Sequence, residues 1–196
     1  MRKLFTFFLI TLAALVANAD ELKSGVFNPP RAAPDFSLPG SDGEEFTLSK
    51  HRNKLIVLGF GFSHCQDICP MTLAKLAQAR KDLGVLADDI QVVYITVDPE
   101  RDTSERLRRY MANFHSSFIG ISGSDEELTK LRKAYGIMAA KEVHKDGNYQ
   151  EHHSSYLYLI DNQGLLRALV PFGKTSDDIV HDIRILLQEN PGKNAS

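Results

Sequence analysis

Hydrophobic and polar positions run along the chain in blocks whose period changes. Leu55–Phe62 (LIVLGFGF) is an almost unbroken apolar run of strand length, as expected of a strand covered on both faces, and Gln91–Asp98 (QVVYITVD) repeats that pattern. Between them, Cys69–Leu83 aligns Leu73, Leu76, Ala77 and Leu83 on one helical face, and Gly84 supplies a stop. Asp102 with Glu105 reads as a capping box opening a helix whose Leu107, Tyr110, Met111 and Phe114 share a face. Phe118–Ile121 reads as a short strand. Ser124 and Glu127 then cap a helix carrying Leu128, Leu131 and Tyr135, with Gly136 after it. Residues 137–153 lose apolar periodicity and read as a polar excursion with a tight turn at Asp146-Gly147. Tyr156–Asp161 and Leu165–Val170 flank Asn162-Gln163-Gly164, a three-residue hairpin connection, and a last helix over 175–190 aligns Ile179, Ile183, Leu186 and Leu187. Residues 20–34, with Pro29, Pro30 and Pro34, show little periodicity and read as an N-terminal arm.

The element order is βαβ, then αβ(α), then a hairpin and a helix. It predicts an α/β, thioredoxin-like fold: a central mixed β-sheet flanked by helices, with an insertion before the C-terminal β-hairpin. The domain is expected over 35–190, with 191–196 as a tail and no internal repeat. Composition agrees with one packed domain. At 43% apolar in 196 residues the chain is not disordered, and a formal charge of −2 gives no basis for binding nucleic acid. Two cysteines cannot form a disulfide-rich scaffold or a Cys-only zinc site.

The N-terminus changes the chemical setting. Arg2 and Lys3 precede the apolar run Leu4–Val16, and Ala17-Asn18-Ala19 provides a small-residue cleavage site. As a helix that run spans about 20 Å, short of the ~30 Å hydrocarbon core. A signal peptide over 1–19, cleaved after Ala19, is expected, with a periplasmic product; a membrane-anchored form fits less well. The mature chain would lose two cations and no acid, leaving 21 Lys+Arg against 25 Asp+Glu, a charge of −4. Export to an oxidising compartment makes a thiol pair a disulfide unless it is reduced or metallated.

That pair is Cys65 and Cys69, between the first buried strand and the first helix (SHCQDICP). Pro70 suits the first helical position, which places Cys69 at or near the N-cap, where free N–H groups favour a thiolate. Three readings stay open at this level. The pair is a stabilising disulfide, a redox pair, or two soft ligands for Cu(I) or, less selectively, Zn(II). A disulfide closing so short a loop would remove little chain entropy.

Phe60–Pro70 (FGFSHCQDICP), Val93–Thr103 (VYITVDPERDT) and His153–Ile160 (HSSYLYLI), in that order, resemble the SCO/SenC family of copper-binding, thioredoxin-like proteins. The resemblance runs from about residue 33 to residue 187. It implies one copper ion, Cu(I) or Cu(II), held by Cys65, Cys69 and His153. It further implies a metallochaperone that delivers copper to, or matures, the copper centre of respiratory cytochrome c oxidase. The partners implied are the copper-bearing oxidase subunit, and another periplasmic copper chaperone or a thiol reductant; the chain is expected to be a monomer. Neighbouring strand residues point to opposite faces, so His152 and His153 cannot both ligate from an extended segment, and motif register selects His153. Here His152 stands where the family often has an acid, and Gln66 where it often has proline. Asp98 reads either as a group near the metal or partner, or as a turn acid before Pro99. His64 and Asp67 flank the cysteines and either tune the thiolates or are solvated loop residues. The excursion at 137–153, with Lys141, His144 and Lys145, is a natural partner surface. His51, His115 and His181 read as surface residues. The same cysteines would also serve a periplasmic thiol–disulfide oxidoreductase, a role that should not require His153.

Overall fold

A computed structural model of the protein describes residues 21–189. The expected signal peptide and the 191–196 tail lie outside the described residues. Fourteen segments of regular structure matter here: strands β1 (Gly25–Ala32), β2 (Ser37–Pro39), β3 (Glu45–Thr47), β4 (Leu55–Gly61), β5 (Ile90–Thr96), β6 (Ile119–Ile121), β7 (Ala139–Val143), β8 (Tyr149–His153), β9 (Tyr156–Ile160) and β10 (Leu165–Pro171), and helices α1 (Ile68–Leu83), α2 (Ser104–Ala112), α3 (Asp125–Tyr135) and α4 (Ser176–Glu189).

Six strands form one mixed sheet in the order β1-β10-β9-β4-β5-β6. β4, β5 and β6 run parallel, from Leu55↔Ile90 to Gly61↔Thr96 between the first two, while β9 lies antiparallel to β4 and β10. Every residue of β4 and β5 is buried, which is why neither shows polar alternation. α1 packs with α4, and α2 packs against β6. The thioredoxin-like arrangement thus follows the predicted element order, with the β7–β8 hairpin inserted before β9 and β10. The loops leaving the C-terminal ends of β4 and β5 lead into α1 and α2 respectively. In an open α/β sheet this is the edge where functional groups gather.

Two local readings, the arm and the α2 cap, are corrected by the structure, and two further elements are added to the sequence reading. The stretch read as an arm contains the edge strand β1, paired antiparallel to β10 from Gly25↔Leu169 to Ala32↔Leu165. It is almost wholly exposed, so no burial pattern marks it, and Pro29 and Pro30 fall where its pairing register shifts. Its approach is fixed by buried Asp182, which accepts from the Lys23 and Ser24 backbone N–H groups at 2.7 and 3.0 Å. The polar excursion is the two-stranded hairpin β7–β8, running from Ala139↔His153 to Val143↔Tyr149, with Gly147 in the left-handed region at φ +85°. The small β2–β3 hairpin was not marked by any sequence pattern. Finally, α2 is capped by Thr103, whose side chain accepts from the Arg106 N–H, and not by Asp102. The capping box of α3, Ser124 with Glu127, forms as read. Among the described residues no helix is long and apolar enough to cross a membrane.

Candidate metal centre

The loop after β4 delivers both cysteines to the start of α1. The helix begins two residues earlier than Pro70 suggests: Asp67 is the N-cap without a side-chain bond, Ile68 the first residue, and Cys69 the second. Both cysteines are free. The Cys65 sulfur occupies the place that a capping side chain would take, accepting from the Cys69 N–H at 3.5 Å. A hydrogen bond from the Cys69 thiol, aided by backbone N–H groups of Cys69, Asp67 and Ile68, lowers the Cys65 pKa to about 5. Cys69 moves the other way, because its proton is held by the Cys65 thiolate and its side chain is buried. The thiolate favoured by the helix terminus is therefore Cys65, half-buried, and not Cys69.

The third group arrives from β8. Burial alternates along Tyr149–His153, so Tyr149, Glu151 and His153 turn inward while Gln150 and His152 are exposed. His153 Nε2 lies 3.6 Å from Cys69 Sγ, and its ring meets the edge of Phe62 with centroids 5.9 Å apart. Its Nδ1 donates to the Ser154 carbonyl at 2.9 Å, which leaves the Nε2 lone pair facing the sulfur. Burial lowers the His153 pKa and keeps the ring neutral. His152 points away and meets Glu142 at 2.9 Å. Two thiol sulfurs and an unprotonated imidazole nitrogen are a donor set suited to a soft cation. The three are neighbours and not yet a closed cage: among the described residues no three His, Cys, Asp or Glu side chains are drawn together tightly enough to hold a metal as they stand.

The remaining predicted residues divide. Asp98 is buried, 2% exposed, so it is not a solvated turn acid. It accepts from the Tyr149 hydroxyl at 2.8 Å and from Arg101 Nε, tying the end of β5 to β8 without touching the cysteines. His64 leans toward Asp102 (3.9 Å) and Ser63 (3.5 Å); burial and the nearby Arg106 and Arg101 guanidinium groups lower its pKa. Asp67 is exposed at the helix N-cap.

Three residues escaped the sequence reading. Asp102 is fully buried and accepts from Ser63 N–H and Thr96 Oγ1 at 2.9 and 2.8 Å and from Ser63 Oγ, so it holds the strand ends and the Ser63-His64 turn together. Its spacing to Glu105 imitates a capping box, which concealed this role. Tyr94, 2% exposed on β5, brings its hydroxyl to the Cys69 sulfur. The alternating glycines of LGFGF were the available signal, since they leave room for a large side chain from the neighbouring strand. Tyr149 carried no signal, because its partner is 51 residues away.

Residues 27–188 match the SCO1/SenC protein family. An SCO2-like protein of Rickettsia conorii is 38% identical over 133 residues, covering 66% of this chain and 64% of that protein, so the chain spans just under two thirds of this relative's length. The copper-bound structure of ScoI from Bradyrhizobium japonicum shares 29% identity at a TM-score of 0.74, covering 80% of this chain and all of that one. BsSco, described as having a disulfide switch and as a member of the Sco family of cytochrome c oxidase assembly proteins, shares 25% identity at a TM-score of 0.62 over 79% of this chain and 92% of its own. With the matched segment embracing β4, both cysteines and the histidine strand, the chain belongs to the SCO1/SenC family.

Proposed function

We propose that the protein is an exported copper metallochaperone that carries one copper ion on Cys65, Cys69 and His153 and delivers it to the copper-bearing subunit of cytochrome c oxidase. The observation that carries this reading is the approach of His153 Nε2 to Cys69 Sγ at 3.6 Å, from elements 84 residues apart. Copper is the cargo. Cys65 is poised as a thiolate, Cys69 gives up its proton on binding, and His153 offers a lone pair held in place by the Ser154 carbonyl. Because Cys65 is only half-buried, an incoming thiolate or imidazole of the acceptor can approach from that side and exchange ligands one at a time. The leader features of residues 1–19 support export to the periplasm.

Delivery is tested by mixing copper-loaded protein with the soluble copper domain of the oxidase subunit and measuring copper on each after separation. Net movement to the acceptor is expected. Copper that stays put, with the acceptor reduced and able to take free copper, sinks the delivery step.

A second reading rests on the asymmetry of the thiols. An accessible thiolate beside a buried, protonated partner also suits thiol–disulfide exchange. Cys65 would attack a target disulfide, forming a mixed disulfide, and Cys69 would then displace the target dithiol and leave the Cys65–Cys69 disulfide. A Cys69→Ser variant that accumulates mixed disulfides with the oxidase subunit, whatever is done to His153, would favour it.

A further inference from the structure

The β7–β8 hairpin is a separate two-stranded sheet with no strand pairing to the six-stranded one, yet it carries His153. Something other than sheet hydrogen bonding must fix where that imidazole stands. At its β9 end the hairpin is closed on itself: the Ser154 N–H donates to the Met138 carbonyl at 3.0 Å, and the Met138 N–H donates to the Ser154 hydroxyl at 3.2 Å. Bonds internal to the ribbon do not by themselves oppose its rotation against the domain. The opposing contact lies at the other end of β8, four residues and roughly 13 Å from His153.

That contact is built around Tyr149. Its hydroxyl donates to buried Asp98 at 2.8 Å, its carbonyl accepts from Arg101 Nη1 at 3.2 Å, and its ring is faced by the Arg101 guanidinium and the Lys141 ammonium, each 3.8 Å from the ring centroid. Lys141 is also paired to Glu100 at 2.7 Å, so both strands of the hairpin are attached to the same Asp98–Arg101 turn. That turn leaves the C-terminal end of β5, two strand positions beyond Thr96. Tyr149 and His153 share the inward face of β8, so anchoring one sets the height and tilt of the other. Arg101 further extends toward the ring of Phe62, 5.9 Å away, against whose edge His153 packs.

The geometry points to Tyr149 as a positioning residue for His153: its bond to Asp98 and its stacking between two cations pin the far end of the hairpin, so that strand register holds the imidazole over Cys69. The inference deepens the copper reading and rests on it for its consequence, while the positioning itself is a property of the metal-free protein.

The test uses the reduced protein and its Tyr149→Phe and Tyr149→Ala variants, the first losing only the hydroxyl and the second the ring as well. Amide hydrogen exchange and the His153 ring resonances are followed without metal, and copper is then titrated with nitrogen ligation monitored by electron paramagnetic resonance of the Cu(II) form. Loss of one hydrogen bond to a carboxylate should speed exchange across β7–β8 by about tenfold or more in Tyr149→Phe, and further in Tyr149→Ala, while amides of β4 and β5 stay protected. The His153 ring shifts should move toward solvent values, and bound copper should lose its imidazole signature in the alanine variant. Unchanged hairpin exchange and unchanged His153 shifts in Tyr149→Ala would overturn the assignment. So would equal loss of protection in β4 and β5, which would make Tyr149 a general strut. If the unaltered protein takes up no copper, the functional reading falls, and the metal-free arms still decide the role of Tyr149.

Discussion

Tyr94 occupies the space that Gly61 leaves open: a Cβ at residue 61 would stand 1.9 Å from the Tyr94 hydroxyl oxygen. Gly59, which pairs with Tyr94 across β4 and β5, is constrained less severely, its Cβ position lying 3.0 Å from the ring and 2.9 Å from Leu157. The two alternate glycines of LGFGF therefore form a slot in β4 along which the ring of Tyr94 lies, with its hydroxyl at the Cys69 sulfur. Burial raises the Tyr94 pKa, so this hydroxyl stays protonated beside the thiol pair.

Gly61→Ala should therefore overpack the slot and lower the unfolding free energy by ~1–3 kcal/mol, since neither β4 nor the ring can retreat inside a sheet buried on both faces. Denaturant unfolding measures it. Combining the change with Tyr94→Phe, which removes the oxygen at 1.9 Å but leaves ring carbons at 2.5 and 2.7 Å, should recover part of the loss; no recovery would mean that the oxygen does not carry the clash.

Asp102 has no access to solvent and serves Ser63 and Thr96 at once. Removing it in Asp102→Ala strands both donors, and a cost of about 3 kcal/mol is expected in chemical denaturation. Glu105→Ala, at the other end of the false capping box, should change stability by less than about 0.5 kcal/mol, because the helix cap is Thr103. Equal effects of the two substitutions would restore the capping-box reading.

The thiol pair gives reduced, metal-free protein a characteristic pH dependence. A free thiol titrates near 9, whereas folded Cys65 is lowered to about 5. Between these values the unfolded chain binds the extra proton, so the Cys65 contribution to stability grows as pH rises from 5 to 9 and is lost as pH falls through 5. Cys69, held protonated in the fold, reverses the slope above 9. The difference in unfolding free energy between the parent protein and Cys65→Ser, followed across pH 4 to 10, should show this rise and fall. A flat difference would mean that Cys65 is an ordinary thiol.

The same protonation states fix how many protons leave when copper binds. Near pH 7 Cys65 is already a thiolate and His153 is neutral, so about one proton, from Cys69, should be released per copper. As pH falls through 5, the proton taken up by Cys65 should add to that number. Calorimetry in buffers of different ionisation enthalpy counts them, and two protons at pH 7 would contradict the thiolate assignment.

How far the sequence discloses this arrangement depends on how local each signal is. β4 and β5 are legible because burial on both faces leaves an unbroken apolar run, and α3 because Ser124, Glu127 and Gly136 mark its ends within a few residues. β1 is illegible: its residues are exposed, and its order comes from pairing with β10 and from Asp182, about 130 to 160 residues downstream. Cys65, Cys69 and His153 can be named from their motif, and strand parity separates His153 from exposed His152. The division of labour between the thiols could not be read, since it depends on where α1 begins, and Pro70 is tolerated at the third helical position too, where its missing N–H would have had no intrahelical partner. Asp98, Tyr149 and Asp102 act through contacts that span from three to 51 residues, and spacing alone either conceals or misassigns them.

The account turns on His153 as the third donor, and the direct measurement is copper stoichiometry and ligation on the reduced protein beside His153→Ala and His152→Ala. One copper per chain is predicted, with two sulfurs and one nitrogen seen by X-ray absorption. The nitrogen should disappear and the copper be held more weakly in His153→Ala, while His152→Ala matches the parent protein. Copper that is not retained, or whose ligation ignores His153 and responds to His152, would contradict the account.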